Sequence, residues 1–328
     1  MKKIFFIFPE FKGAITGGTF YDYKVSYYLK KINVPIKNII VSDSINRIKL
    51  SSLINNLPKK STVLIDGYLV NKIPFLFNKN IHILIHHPCC LEAKEGKMSN
   101  LNLYFNEKRA FNYSKSIITV SKYMKKVIRS ILYQKIKIEV AYPGIDKIYY
   151  YNKRNSAASN ILAIGNVIER KGYSLLIESL ASIKSTWHLN IIGKYSTKDP
   201  FFIKLTELID KYKLSDNITF LGNIPNDAKM KCLQESKLFV LPTFYEGFGM
   251  SLVEASALGI HVITSDLPVL REVLKGGQVD FIPINDVKEF SKAITMGLLG
   301  NTEINNSGLK HYNWETTAKN MKRALYAY

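Results

Sequence analysis

Two carboxylates in the segment TFYEGFGMSLVEASALG have a setting that could bind a phosphorylated sugar. Glu246 follows the apolar run KLFVLP, Gly247 and Gly249 open a turn, and Glu254 lies on the helix that this turn predicts. Unpaired N–H groups at a helix start favour an anion such as phosphate, and carboxylates accept hydrogen bonds from sugar hydroxyls. Considered alone, Glu246 could equally be an ordinary stabilising group at a helix N-terminus.

Arg170 and Lys171 form a second candidate group, at a turn between a predicted strand and a predicted helix. The segment NILAIGNVIERKGYSLLIESL places both cations directly before Gly172. An arginine fork and a lysine ammonium beside a glycine can together hold a diphosphate. A solvated, charged turn explains the same residues, and in isolation that second interpretation is favoured.

Glycines and histidines at two predicted strand ends in the first half of the chain could also contact a ligand. Gly17 and Gly18 precede a helix predicted from about Thr19, where they would let the backbone approach an anion, although a tight turn explains them equally well. His86 and His87 end the segment IHILIHH. His86, first after the strand, is the better candidate for donating a hydrogen bond to a sugar or phosphate oxygen, or for proton transfer. A structural histidine is the alternative, and with no third ligand in register we expect no zinc site.

The elements that must position these residues are predicted to be parallel β-α-β units. Short apolar runs alternate with amphipathic stretches such as 21–31 and 121–132, which is typical of buried parallel strands connected by helices. Ligands of such sheets collect at the carboxyl ends of the strands. The runs that predict strands are KIFFIF, IKNIIV, TVLID, IHILIH, KSIITV and IKIEVA in a first series, and NILAIG, HLNIIG, NITFLG, KLFVLP and HVITSD in a second.

The two series predict two doubly wound α/β domains in tandem, which suits a chain of 328 residues. Periodicity is lost over 143–160, where Pro, Gly, Asn and Ser accumulate, so this segment is predicted to be a linker. We expect a strongly basic N-terminal domain at 1–147 and a second domain at 148–310. A terminal helix at 311–328 could pack back on the first domain.

The composition excludes several classes of protein. Apolar residues make up 47% and charged residues 22% of the chain, which excludes disordered and fibrous proteins. No run approaches the ~18 apolar residues of a membrane-spanning helix, and the apolar start at 4–8 is too short for a signal peptide. Cys89, Cys90 and Cys232 match neither a disulfide framework nor a metal motif. We therefore expect a cytoplasmic protein, soluble or peripheral on the inner membrane face.

The net charge of +20 is concentrated in the first half of the chain. Residues 1–150 hold 25 basic and 9 acidic side chains, a net charge of +16, whereas residues 151–328 carry 21 and 17, a net charge of +4. This asymmetry predicts an anionic partner for the first half, namely nucleic acid, an acidic lipid surface, or a phosphorylated or acidic substrate.

A basic amphipathic helix is predicted within this half, over SKYMKKVIRSILYQKIK. Its cations are Lys122, Lys125, Lys126 and Arg129, and its apolar stripe consists of Met124, Val127, Ile128, Ile131 and Leu132. Such a helix can lie on an anionic membrane, where each cation contributes ~1 kcal/mol. The alternative, favoured for this helix by itself, is that the stripe faces the core of the domain.

The carboxylate segment resembles the donor-site signature of family-4 glycosyltransferases, which have the GT-B fold. In that signature two glutamates are separated by seven residues, as Glu246 and Glu254 are in EGFGMSLVEASALGIHVITSD. The stretch HHPCCLE resembles a subgroup of the family in which His-His-Pro is followed by Leu-Glu, here Leu91 and Glu92. Further similar segments, spread over most of the chain, are GG (17–18), the strand-end His86, VSKYMKKV (120–127), YPGID (142–146), RKG (170–172), IIG (191–193), FLGNIP (220–225), PVLREV (268–273) and NWETTAKNM (313–321).

The resemblance implies a retaining hexosyltransferase that takes a sugar from a nucleotide-diphosphate donor, with two Rossmann-like domains facing each other across a cleft. Glu246 would bind hydroxyls of the donor sugar, Glu254 would bind the ribose, and His86 would face the transferred sugar. Arg170 and Lys171 would neutralise the leaving diphosphate, and with His86 and Glu246 they are the implied catalytic residues. The other residues implied at the donor are Gly17 and Gly18 between phosphate and acceptor, Asn166, the backbone near Asn223 and Ile224 at the base, and Gly247, Phe248, Gly249, Met250 and Ser251.

The sequence departs from the family pattern in one place that bears on the diphosphate. Asn166 stands directly after Gly165, where the family often has an arginine, and Arg170 could supply that cation from further along the chain. A smaller departure is Thr243 in place of a more usual serine. No Asp-x-Asp pair occurs in the chain, so we expect no obligatory metal ion. No second carboxylate is placed as a nucleophile, so we expect front-face substitution, in which the donor phosphate accepts the acceptor's proton.

These expectations favour transfer to a lipid-linked or polysaccharide acceptor in the synthesis of a cell-surface glycan or glycolipid. A UDP-sugar is the expected donor, and a GDP-sugar is an alternative. A lipid-linked sugar is the first choice of acceptor because the first half is basic, ahead of a growing polysaccharide or a small soluble acceptor.

Two other classes of protein stay open. The charge and the 20 tyrosines suggest a nucleic-acid-binding protein, but no zinc spacing, helix-turn-helix or RNA-recognition signature supports it. A non-catalytic, transferase-like partner is opposed by the presence of Arg170, Lys171, Glu246 and Glu254.

Overall fold

The chain divides into two compact units. Unit 1 comprises residues 1–144 and 312–328, and unit 2 comprises residues 145–311. The computed structural model describes residues 2–10, 16–59, 61–73, 80–91, 98–151, 160–300 and 312–326. Unit 1 holds 27 basic and 9 acidic residues, a net charge of +18, whereas unit 2 holds 19 and 17, a net charge of +2. The net positive charge of the chain therefore belongs almost entirely to unit 1.

Unit 1 contains a six-stranded parallel sheet with the strand order β2-β1-β3-β4-β5-β6. Its central strands are continuous apolar runs, such as residues 4–8 of β1, because both faces of a parallel sheet are covered. The strands are β1 (Ile4–Glu10), β2 (Ile36–Ser42), β3 (Thr62–Asp66), β4 (Asn80–Ile85), β5 (Ser116–Thr119) and β6 (Lys137–Val140).

Helices connect these strands, and polar side chains cap several of them. Thr16 and Thr19 form a reciprocal capping box at the first helix, and Ser121 accepts a hydrogen bond from the Met124 N–H at the fourth. The first helix begins at Gly17, two residues earlier than predicted. The helices are α1 (Gly17–Lys31), α2 (Arg47–Asn55), α3 (Met98–Tyr113) and α4 (Lys122–Ile131), with 3₁₀ turns at Gly67–Lys72 and Cys89–Leu91.

Unit 2 repeats this architecture with the strand order β12-β11-β10-β7-β8-β9, again all parallel. Its strands are β7 (Asn160–Ile164), β8 (Leu189–Ile192), β9 (Ile218–Gly222), β10 (Ser236–Leu241), β11 (His261–Ser265) and β12 (Val279–Ile282). Its helices are α5 (Ile148–Tyr151), α6 (Tyr173–Leu180), α7 (Pro200–Lys211), α8 (Asn226–Gln234), α9 (Met250–Ala257), α10 (Pro268–Val273) and α11 (Val287–Leu299), with 3₁₀ turns at Glu169–Lys171 and Ser215–Asn217. β12 was not predicted from the sequence, because it is a four-residue edge strand that is only half-buried and includes Asp280.

The last helix, α12 (Trp314–Tyr326), belongs to unit 1 and packs against α1. Trp314 is buried between the rings of Tyr21 and Tyr28, and the Thr317 hydroxyl donates to the Tyr142 carbonyl at 2.6 Å. Gly144 makes this packing possible, since a Cβ at that position would lie 2.3 Å from the Trp314 nitrogen. The chain therefore returns to its first sheet after completing the second.

The basic helix α4 ends earlier than predicted, and its apolar stripe is used inside the unit. The helix stops at Ile131, and the predicted continuation to Lys137 is wrong because residues 137–140 form β6. Met124, Ile128 and Ile131 are buried in the domain. This apolar face is therefore not available to a membrane, which agrees with the interpretation favoured for this helix by itself, that its stripe faces the core of the domain. Among the described helices, none combines the length and the apolar content needed to cross a bilayer.

His82 predicts a loss of stability in mild acid. It is buried in β4 with Nδ1 2.7 Å from the Ser116 hydroxyl, and burial, with a smaller contribution from Lys115, lowers its pKa from 6.5 to about 4. The unfolded chain therefore binds a proton between these pH values that the folded chain does not, so stability falls as the pH falls through this range, by at most about 3 kcal/mol.

The test compares unfolding free energies from urea titrations at pH 6.5 and 4.5. His82→Asn should lose less stability between these values than the wild type, and His87→Asn, changed at a half-exposed position, should behave like the wild type. An unchanged pH dependence in His82→Asn would contradict this account.

Candidate functional site

The loops that carry the predicted donor-binding residues meet where the strand order of the second sheet reverses. From β7 the chain proceeds outward through β8 and β9, and then returns to place β10 on the other side of β7. The loops after β7 and β10 are therefore neighbours at the carboxyl edge of the sheet, which is where open α/β sheets bind ligands.

Glu246 is the centre of a buried charged cluster formed by these two loops. Its Oε1 lies 2.6 Å from the Lys171 ammonium and 3.8 Å from the Arg170 guanidinium. The Thr243 hydroxyl donates to the same oxygen at 3.1 Å. Glu246 is only 7% exposed, so the cluster neutralises a carboxylate that would otherwise be costly to bury.

The cations decide the ionisation of this carboxylate. Burial raises the pKa of Glu246, but the charges of Lys171 and Arg170 and the hydrogen bonds from Lys171 and Thr243 outweigh it, so the pKa is lowered. Its second oxygen, Oε2, has no hydrogen-bond partner among the described residues. A charged oxygen is thus left to accept hydrogen bonds from a ligand.

Hydrogen bonds to backbone carbonyls join the two loops. The Phe244 N–H donates to the Arg170 carbonyl at 2.8 Å, and the Arg170 guanidinium donates to the Tyr245 carbonyl. Gly172 has φ +72°, and a Cβ there would lie 2.0 Å from the Pro242 carbonyl oxygen. Only glycine fits both the left-handed backbone and the close approach of the Pro242 carbonyl. The structure therefore requires a glycine directly after Arg170 and Lys171.

The predicted anion-binding turn precedes α9. Gly249, with φ +82°, forms the N-cap, and no side chain caps the helix. The Ser251 hydroxyl donates to the Ile164 carbonyl at 2.9 Å and joins α9 to β7, while Phe248 is buried. Ser251 and Phe248 can therefore meet a ligand through their backbone, together with Gly247 and Met250.

Glu254 lies in a second cluster, separate from Glu246, and its partners there were not predicted from the sequence. Lys229 of α8 contacts Glu254 Oε2 at 3.0 Å and lies 5.4 Å from the centre of the Tyr149 ring. Burial lowers the pKa of the Lys229 ammonium, but Glu254 and Tyr149 outweigh it and raise it. Glu254 Oε1 has no partner among the described residues, so one oxygen of this carboxylate could still accept ribose hydroxyls.

The remaining predicted donor residues lie on neighbouring loops of unit 2. Asn166 follows β7, and its side-chain oxygen accepts from the Lys194 N–H at 3.3 Å, which joins the loops after β7 and β8. Asn223 and Ile224 follow β9 directly, after Gly222 with φ +66°. All these positions share the carboxyl edge of the sheet.

The histidine predicted in unit 1 has two carboxylate partners. His86 Nε2 lies 3.2 Å from Asp22 Oδ1 and 3.1 Å from Asp66 Oδ2. Asp66 ends β3, next to β4, and Asp22 is one turn after Gly18 on α1. Gly18 permits the close approach, since a Cβ there would lie 3.1 Å from His86 Cδ2.

The expectation that no third ligand is in register with His86 is wrong. Asp22, Asp66 and His86 offer atoms within 4.8 Å of one another, a grouping that could hold a cation. Asp22 and Asp66 could have been suspected from the sequence, because Asp22 follows Gly18 by four residues on a predicted helix and Asp66 ends a predicted strand. Their meeting depends on the order β1-β3-β4, which the linear pattern does not specify.

Known proteins of the same fold cover almost the whole chain. Sucrose-phosphate synthase from Thermosynechococcus elongatus superposes with a TM-score of 0.78 over 98% of this chain and 95% of its own, at 15% identity. An Anabaena protein in complex with UDP and glucose superposes with a TM-score of 0.75 over 99% of both chains, at 14% identity. The predicted GT-B fold is confirmed.

The sequence itself matches a family within this fold class. Residues 152–308, slightly less than half of the chain, match the family model "Glycosyl transferases group 1". The O-antigen chain mannosyltransferase of Salmonella typhimurium is 25% identical over 223 residues, which are 68% of this chain and 61% of that protein. The chain spans less than two thirds of the length of the curated relatives it matches.

The Lys229–Glu254 pair predicts a large effect of removing one partner. Lys229→Met should destabilise the protein by about 3–5 kcal/mol, because the Glu254 carboxylate is left buried without its cation. Lys229→Met combined with Glu254→Gln should recover most of this loss. Urea unfolding of the single and double variants measures both effects.

Lys231→Met is the matched control, since Lys231 lies on the same helix but is 75% exposed and 3.9 Å from its partner Glu235. Its effect should stay within about 0.5 kcal/mol. A cost in Lys229→Met no greater than in this control would show that the pair does not stabilise unit 2.

Proposed function

We propose that this chain is a retaining family-4 glycosyltransferase that transfers a sugar from a nucleoside-diphosphate donor to a lipid-linked or polysaccharide acceptor. The observation that supports it most is the Glu246 cluster at the reversal of the strand order. One oxygen of Glu246 is held by Lys171, Arg170 and Thr243, and the other is unpartnered among the described residues. A fixed, charged carboxylate oxygen at this edge is suited to accept hydrogen bonds from the hydroxyls of a donor sugar.

The same cations are proposed to bind the donor diphosphate. The Lys171 ammonium has three N–H donors and uses one on Glu246, so the others can reach a phosphate oxygen. The backbone N–H groups of 247–251 at the start of α9 add donors without a net charge. Together they would stabilise the negative charge that develops on the leaving diphosphate.

The proposed reaction keeps the configuration of the transferred sugar. The bond from the anomeric carbon to the diphosphate breaks as the bond to the acceptor oxygen forms on the same face, and the acceptor's proton passes to the leaving phosphate oxygen. Glu246 is held ionised by two cations, which suits binding of hydroxyls better than donation of a proton. The positive charge for the leaving group would come from Arg170 and Lys171, so no obligatory metal ion is proposed.

Similar proteins and the net charge of unit 1 support the proposed nucleotide base of the donor and the proposed acceptor. A UDP-sugar is favoured because the Anabaena neighbour binds UDP, and a GDP-sugar is the alternative. An anionic, lipid-linked acceptor is favoured because unit 1 has a net charge of +18 and because the Salmonella relative is an O-antigen chain mannosyltransferase. Peripheral attachment to the inner membrane face would follow from the same charge.

Substitution of the cluster should abolish transfer without unfolding the protein. Glu246→Ala and Lys171→Ala should each lower kcat/KM by roughly 100-fold or more, because each removes a charge at the reacting groups. The measurement is sugar transfer or donor hydrolysis with a panel of UDP- and GDP-sugars, with and without chelator. Lys231→Ala on the exposed face of α8 is the control, and near-normal turnover in both site variants would rule out the assignment.

The charge of unit 1 should appear as salt-dependent binding to anionic vesicles. Lys122 and Lys126 are exposed on α4, and each cation near an anionic surface contributes ~1 kcal/mol. Lys122→Ser with Lys126→Ser should therefore weaken partition onto phosphatidylglycerol vesicles by about 30-fold at low salt. The matched control is Lys204→Ser with Lys211→Ser, exposed on α7 of unit 2. Equal losses in both double variants, or binding that does not respond to salt, would contradict a membrane role for unit 1.

A further inference from the structure

Three side chains from different elements of unit 1 converge at the carboxyl edge of its sheet. Asp66 ends β3, His86 follows the neighbouring strand β4, and Asp22 lies on α1. His86 Nε2 is 3.2 Å from Asp22 Oδ1 and 3.1 Å from Asp66 Oδ2. Both aspartates are buried, whereas the His86 side chain is 18% exposed. A small ion could therefore reach the group past the histidine.

The His86 ring offers a single N–H to two carboxylates. Nε2 can carry one hydrogen, which oxygens of Asp22 and Asp66 would have to share. Both distances exceed the ~2.7–2.9 Å typical of a charge-assisted N–H···O bond. Asp22 Oδ2 is also buried and has no hydrogen-bond partner among the described residues. The buried carboxylates are thus left short of donors, a deficit that a bound cation would remove.

The separations between the three side chains are close to those around a tetrahedral zinc ion. Zinc binds imidazole nitrogen and carboxylate oxygen at about 2.0–2.2 Å, so neighbouring ligand atoms of a tetrahedral site lie about 3.3–3.6 Å apart. The two distances from Nε2 are shorter than this by a few tenths of an ångström, and all three ligand atoms lie within 4.8 Å of one another. With a neutral ring, the charge of a divalent ion would equal that of the two carboxylates.

Other contacts already orient two of these side chains. Asp66 Oδ1 accepts a hydrogen bond from the Tyr68 N–H at 2.7 Å, while Oδ2 faces His86. The His86 ring packs against the edge of Tyr21, with ring centres 5.2 Å apart, and the Tyr21 hydroxyl donates to the Ala141 carbonyl at 3.0 Å. Outer contacts that fix the ligands in this way are typical of metal sites.

We propose that Asp22, Asp66 and His86 form a binding site for a divalent transition-metal ion, with Zn²⁺ as the preferred ion. Imidazole and carboxylate ligands suit zinc, whereas Mg²⁺ and Ca²⁺ take six or more oxygen ligands. Three protein ligands leave the fourth tetrahedral position to water or to a substrate oxygen. The site belongs to unit 1, whereas Arg170 and Lys171 belong to unit 2, so the leaving diphosphate still needs no metal ion.

Protons are the competing occupants of this group. Metal ligands must lose their protons to bind an ion, so a proton on the ring or on a carboxylate can balance the charges instead. This competition weakens as the pH rises, and binding is therefore best measured at pH 8. Metal-free protein is also the correct reference, so the chain has to be stripped with EDTA and dialysed first.

The cysteines near the site need their own control, because thiolates also bind zinc. Cys89 and Cys90 follow His86 by three and four residues, and all three cysteines of the chain are free. The measurements therefore use the full-length chain with Cys89, Cys90 and Cys232 replaced by serine. This cysteine-free chain keeps Asp22, Asp66 and His86.

Calorimetric titration of the cysteine-free chain with Zn²⁺ should give one bound ion per chain. Co²⁺ in its place should show the visible absorption of tetrahedral cobalt without a thiolate charge-transfer band. His86→Gln and Asp66→Asn should each weaken Zn²⁺ binding by more than about 100-fold, beyond the ~10–100-fold effect of losing an outer partner. Asp43→Asn, which follows another strand of the same unit, should leave the affinity unchanged.

The absence of stoichiometric Zn²⁺ and Co²⁺ binding in the cysteine-free chain would overturn the proposal and show that protons alone balance the aspartates. Equal affinity in His86→Gln would overturn it too, since the ion would then be bound elsewhere. If Asp66→Asn does not fold, Asp22→Asn gives the same comparison, and the cysteine-free chain decides without any site variant. None of these measurements uses a nucleotide sugar, so their outcome is independent of the proposed function.

Discussion

The neutralisation of the buried Glu246 carboxylate is the interaction on which the candidate donor site depends. A carboxylate at this depth stays ionised only because Lys171, Arg170 and Thr243 surround one of its oxygens. The same contacts join the loop after β7 to the loop after β10, and the glycine at 172 lets the two backbones approach. The charge contacts of Glu246, the geometry of the two loops and the start of α9 therefore depend on one another. Loss of one of them would displace the other two.

The two units use charge in different ways. Unit 2 is almost neutral overall, and its buried carboxylates, Glu246 and Glu254, each have a lysine partner. Unit 1 has a net charge of +18, yet its buried cluster is a histidine held by two aspartates. Exposed lysines act on distant anions and are screened by salt, whereas the buried clusters act only on groups that touch them. We accordingly infer that the surface charge of unit 1 attracts an anionic partner, and that the buried clusters act on the groups of a bound substrate.

Parts of this architecture could be predicted from sequence and parts could not, for physical reasons. Continuous apolar runs identify most of the strands because both faces of a parallel sheet are buried, but β12 is an edge strand with Asp280 in it and lacks that signal. The Glu246 segment and the cation pair could be recognised because each is short and local. The partners Asp22, Asp66 and Lys229 come from distant segments, and only the strand order brings them to their sites. The apolar stripe of α4 is ambiguous in sequence, and the sheet of unit 1 buries it.

Hydrogen exchange of the full chain with and without a nucleoside diphosphate tests the central claim most directly. Mass spectrometry at peptide resolution, with UDP and with GDP in turn, locates the amides that a bound diphosphate protects. The account predicts slower exchange for residues 165–173 and 246–254, with no comparable change in α12. A nucleotide that raises the melting temperature but protects other segments, or one that leaves these two loops unchanged at saturation, would contradict it.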